Sequence, residues 1–379
     1  MKTTRLKPWH EAAGARFAAF AGFDMPIQYP AGALEEHRLC RRSAGFFDID
    51  HMGQLVISGE GAGAALSAIV SGTILDMKTG DARYSLLLNE EGGIIDDLFI
   101  YRSTKNEIDI DGSPLGNDPW FVIVNAGNRE TDAAWLRGHL PPNVLCDDVS
   151  DRTYMISVQG PRAMELLDAL AEGKKPSSMA RASYCMGTIA GIKTRIGRTG
   201  YTGEDGAELY YPASSALLLW EALVEKAAAL GIEAGPVGLA ARDSLRFEAG
   251  MPLHGHEISA EITPLEALLG WSCDFNKDFI GKTALLAQKE KGLSRKLVTV
   301  NVSGGVPREG YAVLGKDGKN IGRVAAGMFC PTTGTYSANC FVFPEYAAAG
   351  TKCAVEIRGS AKEAEVVKRP IYLPVYRRK

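Results

Sequence analysis

No apolar run in this chain of 379 residues approaches the ~18 residues of a membrane-spanning helix. The basic start, Met1 to Lys7, is not followed by the apolar stretch of a secretory signal. A cytoplasmic setting is therefore expected, with a mature mitochondrial form left open. Charge of one sign is also missing: the net charge is −3 and the isoelectric point about 6.1. That balance excludes a whole-chain attraction to nucleic acid. Cysteine is present without pattern. Seven are scattered at positions 40, 146, 185, 273, 330, 340 and 353, with no C-x-x-C. Neither a disulfide framework nor a zinc site is expected, and a reducing compartment fits. There is no H-E-x-x-H, no Gly-x-Ser-x-Gly and no P-loop, so zincin, serine-hydrolase and nucleotide-hydrolysis readings lose their support. His254, His256 and the neighbouring Glu257 lack a third metal ligand, and His51 stands apart from them. All three histidines read as structural or hydrogen-bonding, and no metal is expected.

What is there is a globular composition, 46% hydrophobic and 23% charged, in a chain long enough for two or three domains. Residues 53–58 read as a strand, followed by Gly59 and an alanine-rich helix over 62–70. Gly59-x-Gly61-x-x-Ala64 approximates a dinucleotide fingerprint. No alternation of strands and helices follows it, so a tight strand-to-helix turn is the reading, and no NAD or FAD site is expected. Residues 84–88 and 98–101 flank the turn Glu90-Glu91-Gly92-Gly93 as a hairpin. Segment 104–119, rich in Asp, Gly and Pro, reads as a surface excursion from it. Helical spacing recurs at 163–170 and 215–230. After a Lys-rich linker with a short helix at 277–295, strand-like pieces at 296–302, 311–314, 321–326 and 353–358 predict an all-β end.

Three constellations carry chemistry. In Gly92-Gly93-Ile94-Ile95-Asp96-Asp97 two carboxylates are adjacent on an incoming strand, so they point to opposite faces and do not form an acid/base dyad. One is expected to face a cavity and the other solvent or backbone. In Tyr201-Thr202-Gly203-Glu204-Asp205-Gly206 a turn presents Glu204, whose carboxylate suits the paired N–H and amino donors of a pterin. Arg242 precedes the amphipathic run 243–249 and is placed to meet a ligand carboxylate or carbonyl, while Arg246 and Glu248 are expected to pair with neighbours.

These strings occur in an order that resembles the glycine-cleavage T-protein (aminomethyltransferase) family. The resemblance rests on Phe20-Ala21-Gly22-Phe23-Asp24-Met25-Pro26, Gly45 to Gly53, Asn89 to Asp97, Val158-Gln159-Gly160-Pro161, Thr199 to Glu204, Ala241 to Arg246, Gly270-Trp271 and Asp278 to Lys282. It spans nearly the whole chain. The family's Phe-Asp-Val-Ser-His-Met reads Phe47-Asp48-Ile49-Asp50-His51-Met52 here, which adds a carboxylate, Asp50, near the expected cleft.

The resemblance implies an α+β, three-domain cloverleaf of mainly antiparallel sheets with flanking helices, a β-barrel-like C-terminal domain and folate in a central channel. It implies a discontinuous first domain (1–52 and 145–276), an inserted second (53–144) and a third at 277–379. The implied reaction moves a one-carbon unit from the aminomethyl-lipoyl arm of H-protein to tetrahydrofolate, giving 5,10-methylenetetrahydrofolate and ammonia. By motif position Asp97 is the catalytic acid, Glu204 binds the pterin, and Arg242, Tyr84 and Asn125 contact folate. Lys277, Lys282, Lys289, Lys291 and the tail Arg377-Arg378-Lys379 are candidates for receiving the carrier transiently. Two rivals remain. One is a folate-dependent demethylase of small sulfonium or amine compounds. The other is a non-catalytic folate-binding accessory protein, whose Lys-Gly-Cys-Tyr-x-Gly motif is absent here.

Overall fold

The computed structural model describes residues 1–374 except 105, 106 and 108. Two antiparallel-dominated sheets and a closed barrel organise the chain. The first sheet runs Ala171–Glu172, Tyr184–Ile189, Ile192–Gly197, Gly206–Pro212, Thr153–Gln159, Ala44–Asp48 and Ala234–Pro236, with a parallel pairing only at the last neighbour. Its strands come from both sides of the segment that builds the second sheet. That second sheet is antiparallel throughout: Ala82–Leu88, Ile94–Arg102, Trp120–Val124, Gly53–Gly59 and Val144–Asp148. The barrel closes six strands between Lys296 and Val367. A small three-stranded sheet, Lys2–Thr3, Phe23–Gln28 and Arg16–Phe20, covers one flank. The fold is thus α+β with a closed C-terminal barrel, as expected.

Each core follows from apolar periodicity. In the first sheet Tyr154, Ile156 and Val158 alternate inward and meet Leu219, Trp220 and Leu223 of the helix Ala216–Ala229. In the second, Leu98 and Ile100 share a face with Leu66 of the helix Ala62–Ile69 and with Ala133 and Leu136 of the helix Arg129–His139. Asp96 lies two residues before Leu98 and is likewise fully buried. The strand therefore aims Asp96 toward the helices and Asp97 toward the opposite face.

Gly59 has a local reason in this sheet. Its φ is +141°, and a Cβ there would come within 2.3 Å of the Asn143 carbonyl oxygen. The hairpin and the helix after Gly59 form as predicted. Two barrel strands, Thr335–Val342 and Ser360–Val367, were not expected. Segment 104–119 departs from a surface excursion. Its Ile110 and Leu115 are buried, and Glu107 accepts a 2.9 Å bond from the buried Arg195. The linker contains the helix Lys282–Lys291. Among the described residues no helix is long and apolar enough to cross a membrane.

Candidate active site

A cavity of about 1350 Å³ opens where the sheets and the barrel meet. The second sheet contributes Tyr84, Asp97 and, at its rim, Asn125. The first contributes Glu208, and the helix Leu239–Glu248 contributes Arg242. Met328 of the barrel and Arg369 and Pro374 beyond it close the remaining side. Trp271, 71% exposed, stacks on Tyr84 at 5.4 Å between centroids and marks the mouth.

Asp97 faces this cavity and Asp96 does not. The Asn125 amide lies between them, donating one N–H to Asp97 Oδ1 at 2.7 Å and one to Asp96 Oδ1 at 2.8 Å. Asp96 Oδ2 accepts the Asn125 backbone N–H at 2.9 Å. Burial, then the nearby charge of Asp96, pushes the Asp97 pKa up to about 7, against the opposing pull of Asn125 and Tyr84. Desolvation and Asp97 hold the Tyr84 phenol well above its ordinary value, so it stays protonated. A carboxyl poised near neutrality, facing a cavity, is suited to taking or giving a proton there.

Across the cavity stands a second set of polar groups. Arg242 stacks its guanidinium over the Tyr201 ring at 4.7 Å, and its Nη1 is buried without an acceptor among the described residues. Burial lowers its pKa, with Tyr201 and Glu208 opposing. Glu208 is 8% exposed and its Oε2 accepts from the Thr199 and Tyr210 hydroxyls. Burial raises the Glu208 pKa while Thr199 and Arg242 work against it. His51 also lines the wall. Burial and Arg242 push its pKa down to about 4, so it is neutral across the working range. Arg369 donates from Nη2 to the Gly250 carbonyl at 3.0 Å and buries an unsatisfied Nη1.

The structure brings Asp97, Tyr84, Asn125 and Arg242 together in this way. Glu204 is placed elsewhere. It is 1% exposed and absent from the cavity wall; its Oε1 accepts from Arg41 Nη1 at 3.0 Å and from the Tyr372 hydroxyl. The turn itself explains this: Gly203 takes φ +81° and packs so close to Ala249 that a Cβ would lie at 2.9 Å. The chain then turns Glu204 toward the helix Ala33–Arg42. The carboxylate that reaches the cavity is Glu208, four residues on. Its sequence signal is a charged residue inside the apolar strand Gly206–Pro212.

Asp50 also stays out of the cavity wall; its Oδ1 accepts the Met155 N–H at 3.1 Å. Burial and then Asp48 raise its pKa well above the usual carboxylate range. Arg246 and Glu248 pair with neighbours as expected, Arg246 with Asp243 and Glu257, and Glu248 with His37 and Arg41. His254 and His256 line the cavity, and His256 Nδ1 meets the Ala325 carbonyl at 3.2 Å. Among the described residues no group of three or more His, Cys, Asp or Glu is arranged to hold a metal. Lys277 is not an exposed docking charge, because its ammonium donates to the carbonyls of Ser67 (2.6 Å) and Val70 (2.5 Å). Arg377, Arg378 and Lys379 lie outside the described residues.

Comparisons with known proteins agree with this architecture. Residues 6–277 match the GCVT N-terminal domain, and residues 295–372 match the glycine cleavage T-protein C-terminal barrel domain. A protein named aminomethyltransferase from Desulforamulus reducens is 39% identical over 374 residues, 98% of either chain. Another so named, from Synechococcus elongatus, is 41% identical over 364 residues, 95% of this chain and 93% of that one. The crystal structure of glycine cleavage system aminomethyltransferase T from Bartonella henselae superposes with a TM-score of 0.88 at 34% identity, covering 98% of both chains. With both halves matched in order and the fold shared from end to end, the chain belongs to the glycine cleavage T-protein family.

Proposed function

We propose that this chain is the aminomethyltransferase of a glycine cleavage system. It passes the one-carbon unit of an aminomethyl group, borne on the lipoyl arm of H-protein, to tetrahydrofolate. The products are 5,10-methylenetetrahydrofolate, ammonia and the reduced carrier. The observation that carries the reading is the polarity of one cavity: a carboxyl poised near neutrality at Asp97 and, across from it, the adjacent acceptor and donor of Glu208 and Arg242.

The residues fit a folate. A pterin edge presents an amino group and a ring N–H beside a carbonyl oxygen. Glu208 supplies the acceptor for the first two, and the unsatisfied Arg242 Nη1 supplies a donor for the third. Arg369 adds a second buried nitrogen in want of an acceptor. The volume exceeds the roughly 300–1,000 Å³ of ordinary ligand pockets, leaving room for the end of a carrier arm beside the folate.

When bound, tetrahydrofolate supplies the nucleophilic nitrogens that accept the carbon. Asp97, ionised above about pH 7, accepts a proton and balances positive charge that develops at the transferred carbon. Asn125 fixes the rotamer of Asp97 through the 2.7 Å bond to Oδ1. Tyr84, kept protonated by burial and by the nearby Asp97, buries a hydroxyl that has no partner among the described residues and is available to the ligand. A folate filling the cavity would displace water from beside a cationic carbon that otherwise hydrolyses. We assign the polypeptide to three units, 1–52 with 145–276, 53–144 and 277–379, working in the cytoplasm with H-protein as a transient partner.

The test is ammonia release with tetrahydrofolate, with and without aminomethylated lipoyl carrier. Release that requires both supports the reading. Rapid methylation of folate from small methylated sulfonium or amine compounds, with no carrier present, would replace it with the demethylase.

A further inference from the structure

Beneath Asp97, on the side away from the cavity, the start of the helix Arg129–His139 folds over Asp96. Asp96 is fully buried and accepts three N–H groups: the Asn125 backbone at 2.9 Å, the Asn125 amide at 2.8 Å and the Asn128 amide at 2.9 Å. Such a set of donors suits a carboxylate that only accepts. The next acid toward it is Asp132, one helical turn on from Asn128 and also fully buried. Neither Asp132 oxygen finds an N–H or O–H donor among the described residues.

Asp132 sits in the first turn of its helix, where a carboxylate ordinarily accepts backbone N–H groups, and it accepts none. Among the described residues no Lys or Arg forms an ion pair with either carboxylate. Arg129, on the same helix, is committed to Asp148 at 2.8 Å and Asp151 at 3.1 Å. Two facing carboxylates without a cation repel strongly in a buried site, and a proton on one of them turns that repulsion into a hydrogen bond.

We propose that Asp132 is a positioning residue for the chemistry at Asp97. As a neutral acid it donates a hydrogen bond to Asp96 and so fixes Asp96 as a negative, acceptor-only carboxylate directly beneath Asp97. This rests on the role given to Asp97 under Proposed function. Burial, then Asp96, pushes the Asp132 pKa up to about 11, in keeping with a donor that holds its proton across the working range. Among the described residues the titratable groups that act on Asp97 are Tyr84 on the neighbouring strand and Tyr201 from the loop on its own face, and Asp96 on its own strand and Asp132 from the helix on the other. Tyr84 and Tyr201 are both held in the phenol form by burial, so Asp96 is the charge that Asp97 feels. Removing the Asp132 donor frees the Asp96 carboxylate from its place beneath Asp97, the repulsion between the two weakens, and Asp97 then ionises at lower pH.

The test reads the carboxyl directly. Protein labelled with carbon-13 at the aspartate carboxyls is titrated by NMR, with Asp96→Asn and Asp97→Asn for assignment, and kcat/KM is measured over the same pH range. Asp132→Asn keeps an N–H donor and is expected to leave the Asp97 midpoint in place. Asp132→Leu keeps the volume without the donor and is expected to lower the midpoint by about one pH unit, carrying the acidic limb of kcat/KM with it. Asp132→Ala gives the same reading should Leu not be accommodated. An Asp97 midpoint unchanged in a folded Leu or Ala variant overturns the proposal, as does an equal displacement in Asp132→Asn. A midpoint that moves without the rate profile upholds the place of Asp132 beneath Asp97 and removes the catalytic role of Asp97 instead.

Discussion

At the scale of single residues, Asp97 is a carboxylate whose usefulness is set against its stability. Its unfolded pKa is near the 3.8 of a free side chain and its folded value is about 7. Between those values the folded chain keeps a proton that the unfolded chain releases, so stability is lost as pH rises through that window. Asp97→Asn is therefore expected to raise Tm by a few degrees at pH 8 and to change it little near pH 4, as calorimetry at the two pH values will check. The same variant should lower turnover by at least ~100-fold, the scale of a lost proton-transfer group, while folate affinity changes much less. In the parent enzyme kcat/KM should rise with pH through about 7. Glu208→Gln should weaken reduced-folate binding by about 1.5–3 kcal/mol in a calorimetric titration, because the amide opposes one of the two pterin donors. That one of Asp96 and Asp97 faces a cavity was legible because adjacent strand residues point opposite ways; that it is Asp97 came from the family motif alone. Glu208 was not legible: the glycine-rich turn before it offered a nearer carboxylate, and only the backbone path through Gly203 sends Glu204 behind the wall.

At the scale of elements, Glu204 has a different duty. With Arg41 and Tyr372 it ties the 198–206 loop to the helix Ala33–Arg42 and to the segment after the barrel, and the Arg41 guanidinium lies 3.7 Å from the Tyr372 ring centroid. His37 joins the same knot, reaching Ser244 at 2.7 Å and Thr332 at 2.9 Å. Glu204→Gln leaves Arg41 with one buried partner fewer, and breaking a buried pair costs about 3–5 kcal/mol. A marked drop in Tm with folate affinity nearly unchanged in the folded fraction is expected. Thermal melts and calorimetry on the same sample separate the two, and a large loss of affinity at normal Tm would return Glu204 to the ligand. Helices with clear apolar spacing and the Gly92-Gly93 hairpin could be read from the chain. The strands Thr335–Val342 and Ser360–Val367 could not. The first carries Ser337 and Asn339 buried on bonds to Asn301 and Thr299, so polar residues occupy positions where apolar ones signal a strand. The second, with its Lys and Glu, gains its stability from closing the barrel, a long-range pairing that no local pattern announces.

At the scale of the whole molecule, the cavity belongs to no single unit. A ligand that binds only when all its walls are in place adds to the stability of the assembly, about 2.7 kcal/mol at a hundred times its Kd. Tetrahydrofolate should therefore raise the melting temperature in a concentration-dependent way, and independent unfolding of the barrel at saturating ligand would speak against a shared site. The carrier partnership proposed above is tested at this scale too. Ammonia release at limiting carrier should fall steeply as salt rises to about 0.3 M, with folate binding little changed, because exposed charge pairs weaken as screening shortens. Lys277 was misleading in the sequence, since it looks like a surface cation there and in the fold caps the helix Ala62–Ile69. Arg369, Pro370 and Pro374 complete the cavity, and they come after both sheets and every barrel strand in chain order. Both sheets can fold as they emerge, since domains form as units during synthesis. The binding site cannot, so a nascent chain has no use for folate until synthesis has passed the barrel, and a ribosome stalled in the barrel should display a folded but ligand-blind protein.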